Sequence, residues 1–187
     1  MPRRLRSDAQ ANQERLLEVA AAAFAADGPE ASLKAIAGEA GVGIGTLYRR
    51  FPTREDLIEA VYRTETDRLA AAAAELLEDR EPTAALREWM EAFVDYMLTK
   101  QGMSDALPAI LAAHDGLRAH SREALEGAVA TLIDTGRATG GLRPDVDSSD
   151  VLMALGGIAM VTRHEDQREL ASRLIELLID GLVAARR

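Results

Sequence analysis

The sequence predicts an all-α protein. Apolar residues recur at helical spacing along the chain, few windows alternate apolar and polar residues for long, and aromatic and β-branched runs are sparse. With 187 residues the chain can bury a respectable core, as one domain or two small ones.

The elements follow in order from their start and stop signals. Ser7, with Gln10 placed for a capping box, opens a first helix that closes at Asp27-Gly28-Pro29, with Leu16, Leu17, Ala20 and Phe24 as its core stripe. Ser32 caps a second helix that stops at Gly41, and a very short third helix runs from Ile44 to Arg50 before Pro52 breaks it. Thr53 and Asp56 form a capping box for a long fourth helix, from Arg54 to about Asp79. Its alanine-rich part, Leu69 to Leu77, is a strong helix former rather than a flexible linker. The reading is therefore a domain over 1–52 and another over 53–187, with the helix over 53–79 as a rigid lever connecting them. Further helices are expected over 83–101, 104–113, 117–138, 147–163 and 166–186. Pro108 is expected to kink the sixth, while Gly140-Gly141, Pro144 and the Asp147-Ser148-Ser149-Asp150 cap mark the clearest late break.

Composition removes several function classes. The chain has no cysteine, which excludes disulfides, thiolate zinc sites and cysteine nucleophiles and fits a reducing cytoplasm. No apolar run is long enough to span a bilayer, and the start MPRRLRSDAQ lacks the apolar core of a secretory signal, so no membrane association is expected. The net charge of −9 argues at first against a polyanionic partner. Its distribution answers the objection: residues 1–50 hold seven basic groups against six acidic ones, and residues 51–187 hold 15 against 25. Arg3, Arg4 and Arg6 cluster ahead of the first helix, where they read either as a solvated tail or as a phosphate-seeking arm.

The segment LKAIAGEAGVGIGTLYRRFPTREDL, residues 33–57, carries the strongest functional signal. Ile36, Ala37, Ala40, Val42 and Leu47 supply small or branched apolar surface on two short helices, and Gly41 absorbs the turn between them. That is a helix-turn-helix pattern, whose second helix enters a DNA major groove. On that helix Gly45 and Thr46 occupy the end that reaches base edges, and Tyr48 and Arg49 project toward DNA backbone or a guanine edge. Ser32, Lys34 and Arg54 are placed to meet phosphates from helix starts. The glycine alternation Gly41-x-Gly43-x-Gly45 is no nucleotide loop, because no strand precedes it and no Gly-Lys-Ser/Thr follows.

The same segment closely resembles the DNA-binding part of the TetR (tetracycline repressor) family, through Ala35-Ile36-Ala37, Ala40-Gly41-Val42, Gly45-Thr46-Leu47-Tyr48, Phe51-Pro52, Arg54-Glu55 and Leu57. The resemblance covers roughly the first third of the chain; the rest matches only in general helical layout. It implies an N-terminal three-helix helix-turn-helix DNA-binding domain and a C-terminal helical ligand-binding and dimerisation domain. It also implies that Ser32, Lys34, Gly45, Thr46, Tyr48, Arg49 and Arg54 contact DNA. Gly43 is a departure, since relatives often carry serine there.

Two other groups of residues stand out. Trp89, Phe93, Tyr96 and Met97 share a helix face, which reads first as core and alternatively as the wall of a pocket. In the second reading Leu107, Ile110 and Met153 add apolar walls and His114 a polar anchor for a small hydrophobic effector. Leu174, Leu178 and Leu182 lie on one stripe of the last helix, while Gly156 and Gly157 permit close approach of a neighbouring helix. The family resemblance assigns the last two helices to a homodimer interface, and a fully buried monomeric helix is the alternative. Three scattered histidines and the lack of a Ser-His-Asp set give no support for an enzyme, a metal site or a cofactor. The expected protein is a cytoplasmic transcriptional regulator, a homodimeric repressor of an operator duplex released by the effector. A helical interaction module without operator binding is the rival.

Overall fold

The computed structural model describes residues 2–162 and 164–184, without the side chains of residues 2–9 and 165. Nine α-helices make up the described chain: α1 (Pro2–Asp27), α2 (Leu33–Glu39), α3 (Ile44–Arg50), α4 (Arg54–Asp79), α5 (Pro82–Gly102), α6 (Leu107–Ala113), α7 (Asp115–Ala138), α8 (Ser148–Val161) and α9 (Arg168–Leu182). No strand forms among the described residues; one isolated bridge pairs Leu142 with Val183. The protein is all-α with an N-terminal helix-turn-helix unit, as the periodicity predicts.

Two compact units form. One takes the chain up to Glu65 together with Thr99–Asp115; the other takes Thr66–Leu98 and the residues from Gly116 onward. The division falls inside α4, after Glu65, and inside α5, after Leu98.

In the first unit the stripe Leu16, Leu17, Ala20 and Phe24 is buried, together with Ile36, Ala37, Ala40, Leu47, Leu57, Ile58 and Val61. The expected capping box at the start of α4 is present: the Asp56 amide donates to Thr53 Oγ1 at 3.1 Å, and the Thr53 amide to Asp56 Oδ2 at 2.9 Å. Two expectations fail here. The first helix begins at Pro2 rather than Ser7, and Gln10 donates to Glu14 one turn on at 3.1 Å instead of reaching back to a cap. The side chains of Ser7, Arg3, Arg4 and Arg6 lie outside the described ones, so the proposed arm does too. Pro108 does not kink a helix; it stands in the first turn of α6, where its missing N–H has no intrahelical partner to lose.

The second unit is centred on α5. Trp89 is fully buried and its indole N–H donates to the Leu69 carbonyl at 2.7 Å. Arg168 of α9 joins α5 through Glu91 at 2.8 Å and Asp95 at 3.1 Å. Partial burial pushes the Asp95 carboxyl up, against the pull of that guanidinium. Asp147 caps α8 as expected, accepting the Ser149 amide at 2.8 Å. In the loop between α7 and α8, the Arg143 amide donates to the Leu182 carbonyl at 3.0 Å.

Gly102 ends α5 in the first unit, where a Cβ would overlap the Phe24 carbonyl oxygen on α1. Backbone meets backbone there and neither can yield. Gly102→Ala is expected to destabilise the protein by about 3 kcal/mol in urea unfolding. Gly127→Ala, on an open face of α7 with nothing within 4 Å, should be neutral or stabilising.

Candidate nucleic-acid interface

The turn between α2 and α3 is set by its own hydrogen bonds. The Gly41 amide donates to the Gly38 carbonyl at 3.1 Å and the Val42 amide to the Ala37 carbonyl at 2.9 Å, a Schellman closure of α2. Gly41 takes φ 71°, the left-handed region that favours glycine. A Cβ at Gly41 would lie 2.7 Å from Arg15 Nη2, the far end of a flexible side chain, so the backbone conformation is what selects glycine. The chain then enters α3 through the Thr46 amide, which donates to the Gly43 carbonyl at 2.8 Å.

In α3 only Leu47 is buried; Ile44, Gly45, Thr46, Tyr48, Arg49 and Arg50 are exposed. Tyr48 is 48% exposed, large for an aromatic ring with a neighbouring core available. Arg49 donates to the Thr46 hydroxyl at 3.2 Å, which joins two of the expected contact residues on one outward face. Arg50 is held back by Gln13 of α1. Ser32 caps α2, its hydroxyl accepting from the Ala35 amide at 3.4 Å, and Lys34 is exposed one turn in.

Arg54, expected at a phosphate, turns its guanidinium onto carbonyls of its own chain. Its Nη1 donates to the Ala31 carbonyl at 2.7 Å and its Nη2 to those of Pro29 at 2.9 Å and Gly28 at 3.5 Å. The same guanidinium lies 5.1 Å above the Phe24 ring. Carbonyls between α1 and α2 outcompete solvent because they converge on the planar fork. Sequence reasoning passed over Arg15, whose Nε and Nη2 both donate to the Ala40 carbonyl, at 3.0 and 2.7 Å. No local pattern signals that pair, since the partners are 25 residues apart.

The expected effector residues divide between the units. Trp89, Phe93 and Tyr96 are buried in the second unit, with ring centroids 5.8 Å apart for Trp89–Phe93 and 6.0 Å for Phe93–Tyr96; Met97 is half-buried beside them. The Tyr96 hydroxyl is 3.1 Å from Thr66 Oγ1, which is 3.5 Å from Ser121 Oγ, and all three residues are buried. Leu107 and Ile110 are buried in the first unit, where His114 is largely exposed, its Nδ1 3.1 Å from the Ile110 carbonyl. Met153 is 75% exposed, on the outer face of α8 rather than an inner wall, because Val151 and Leu155 take the buried face.

Of the residues expected at a dimer surface, Gly157 is exposed and Gly156, Leu174 and Leu178 are half-buried. Leu182 turns inward and is buried with Ala171, Ile175 and Ile179, the stripe of α9 that meets its own unit. The exposed apolar residues there are Met153, Met160, Val161 and Leu177. Among the described residues no group of three or more His, Asp or Glu could hold a metal, and no helix is long and apolar enough to cross a membrane.

Comparison with known proteins agrees with this geometry. Residues 16–61 match the family described as bacterial regulatory proteins, tetR family, and residues 81–184 match the C-terminal domain of SbtR-like transcriptional regulators. A TetR transcriptional regulator of Streptomyces coelicolor is similar over 92% of this chain and 99% of its own, at 44% identity and TM-score 0.86. A TetR transcription regulatory protein of Mycobacterium vanbaalenii is similar over 96% and 99%, at 32% identity and TM-score 0.77. An HTH-type transcriptional regulator of Staphylococcus aureus is 34% identical over 95 residues, 50% of each chain. The chain thus spans about half the length of the curated relatives it matches. With both its helix-turn-helix and its C-terminal helices matched, the chain belongs to the TetR family of transcriptional regulators, and such regulators are not enzymes.

Proposed function

We propose that the chain is a cytoplasmic, homodimeric repressor that binds an operator duplex and leaves it when a small hydrophobic effector binds. The observation that carries the DNA half is α3, a seven-residue helix that buries Leu47 and turns Gly45, Thr46, Tyr48 and Arg49 outward. Thr46 offers its methyl to a thymine or its hydroxyl to a phosphate, and Arg49 its guanidinium to a guanine edge or the backbone. Ser32 and Lys34 would add phosphate contacts at the start of α2, through a hydroxyl and an ammonium.

A second copy completes the operator reader. Met153, Gly157, Met160, Val161 and Leu177 give α8 and α9 an apolar exposed face, a surface that soluble monomers rarely leave bare. A two-fold dimer would present two α3 helices to half-sites about 34–36 Å apart, the spacing of successive major grooves on one duplex face. The effector is assigned to the second unit, against Trp89, Phe93, Tyr96 and Met97, with the hydroxyls of Tyr96, Thr66 and Ser121 as polar anchors. It would act by favouring a state whose half-site spacing no longer fits the duplex.

Duplexes selected from a random library should bind with steep salt dependence, each phosphate contact adding about −0.9 to the log–log slope. Tyr48→Ala should lower that affinity by at least about tenfold and leave the helical signal unchanged, because the ring is already outside the core. Normal binding by this variant would remove Tyr48 from the interface. Leu177→Glu should give a folded monomer by light scattering, since an unpaired charge in an apolar interface is unfavourable by several kcal/mol, roughly speaking. A persistent dimer would place the interface elsewhere. Trp89 is the single tryptophan, so its emission reports on the effector site. Hydrophobic compounds that quench it should release the duplex over the same concentration range, and quenching without release would refute the effector assignment.

A further inference from the structure

We propose that Arg15 and Arg54 are positioning residues that hold α2 at both ends and thereby aim the recognition helix α3, and that Arg54 acts through its own chain's carbonyls rather than through DNA phosphate. The inference rests on the DNA-binding reading of α3.

The need for such a device comes from length. With seven residues α2 is far below what sustains an isolated helix, and Ile36, Ala37 and the C-cap residue Ala40 are what it buries. At its C-terminal end the Schellman bonds satisfy the carbonyls of Ala37 and Gly38, and Arg15 takes the carbonyl of Ala40 with two donors. That end carries the negative pole of the helix, so a cation is favoured there. The next residue is Gly41, whose missing Cβ leaves room for the Arg15 guanidinium. Arg15 thus fixes the point from which the chain departs for α3.

At the other end Arg54 gathers the carbonyls of Gly28, Pro29 and Ala31, the residues that lead into the Ser32 cap. Arg54 opens α4, where the helix dipole disfavours a cation, and the converging carbonyls together with the Phe24 ring offset that. Both arginines use the planar fork: one brings two nitrogens to one oxygen, the other spreads two nitrogens over three. A lysine ammonium keeps the charge and loses that geometry. A recognition element must be held to about 0.5 Å by its supporting residues, and these two sets of bonds bracket α2, which leads into α3.

The test compares charge-preserving with charge-removing variants on a duplex selected from a random library by the wild-type chain, and on an unrelated duplex. Arg54→Lys and Arg54→Gln should both lower affinity for the selected duplex by about tenfold or more. Their salt slopes on the unrelated duplex should stay at the wild-type value. Wild-type affinity for Arg54→Lys, or a slope smaller by about 0.9 for Arg54→Gln on both duplexes, would make Arg54 a phosphate contact and overturn the proposal. Arg15→Lys is followed by amide hydrogen exchange, which needs no DNA. The amides of Gly41, Val42 and Leu47 should exchange about tenfold faster while those of Leu155 and Ile175 keep wild-type rates. Unchanged rates at Gly41 and Val42 would overturn the clamp. So would loss of the wild-type helical signal in either lysine variant, which would mark a general stability role. If the wild-type chain selects no duplex, the DNA-binding reading fails, and the exchange rates still judge the clamp.

Discussion

Burial of Leu47 is the interaction on which the exposed face of α3 depends. A helix of seven residues cannot persist in water, so its existence is a tertiary matter. Leu47 is the one residue of α3 fully removed from solvent, and it shares the core of its unit with Ile36, Ala37, Ala40, Phe51 and Leu57. Fixing that side chain fixes the rotation of the helix about its axis. Thr46, Tyr48 and Arg49 then face outward as a consequence. The small side chains of Ala37 and Ala40 and the left-handed Gly41 let α2 and α3 follow one another across a turn of four residues, 40–43.

Charge is organised by the same logic. The chain is acidic as a whole, yet the balance up to residue 50 is slightly positive, and a polyanion responds to the local field. Every arginine there keeps its charge, but their donors are used differently. Arg15 and Arg54 turn their donors onto carbonyls, and Arg50 is tied to Gln13. Arg49 and Lys34 remain on the outer surface. The basic residues around the helix-turn-helix thus divide between building the element and presenting charge to a partner, and hydrogen-bond acceptors within reach decide which does which.

A similar division separates the two faces of α9. Ala171, Ile175, Ile179 and Leu182 form the stripe that its own unit buries, and Leu177 stands opposite with two-thirds of its surface in water. On α8 the same alternation leaves Val151, Leu155 and Ala159 inside and Met153 and Met160 outside. The leucine stripe of the last helix could be recognised as apolar from spacing. Which half of a doubly apolar helix faces inward depends on where the helix is placed, and spacing is blind to that.

The sequence by itself determined the helical class, the bounds of α3 and α4, the Thr53–Asp56 box, the Asp147 cap and the glycine turn at Gly41. Each of these is a local effect, complete within four or five residues, so the chain spells it out. Only the tertiary structure decided where the donors of Arg15 and Arg54 go, to carbonyls more than twenty residues away. It decided equally that Gly102 must lack a side chain because the carbonyl of Phe24 passes there, and that Met153 faces outward. It also placed Thr66, Tyr96 and Ser121 in one buried set of hydroxyls. Such partners are chosen by the path of the whole chain, and no window of sequence contains both members of the pair.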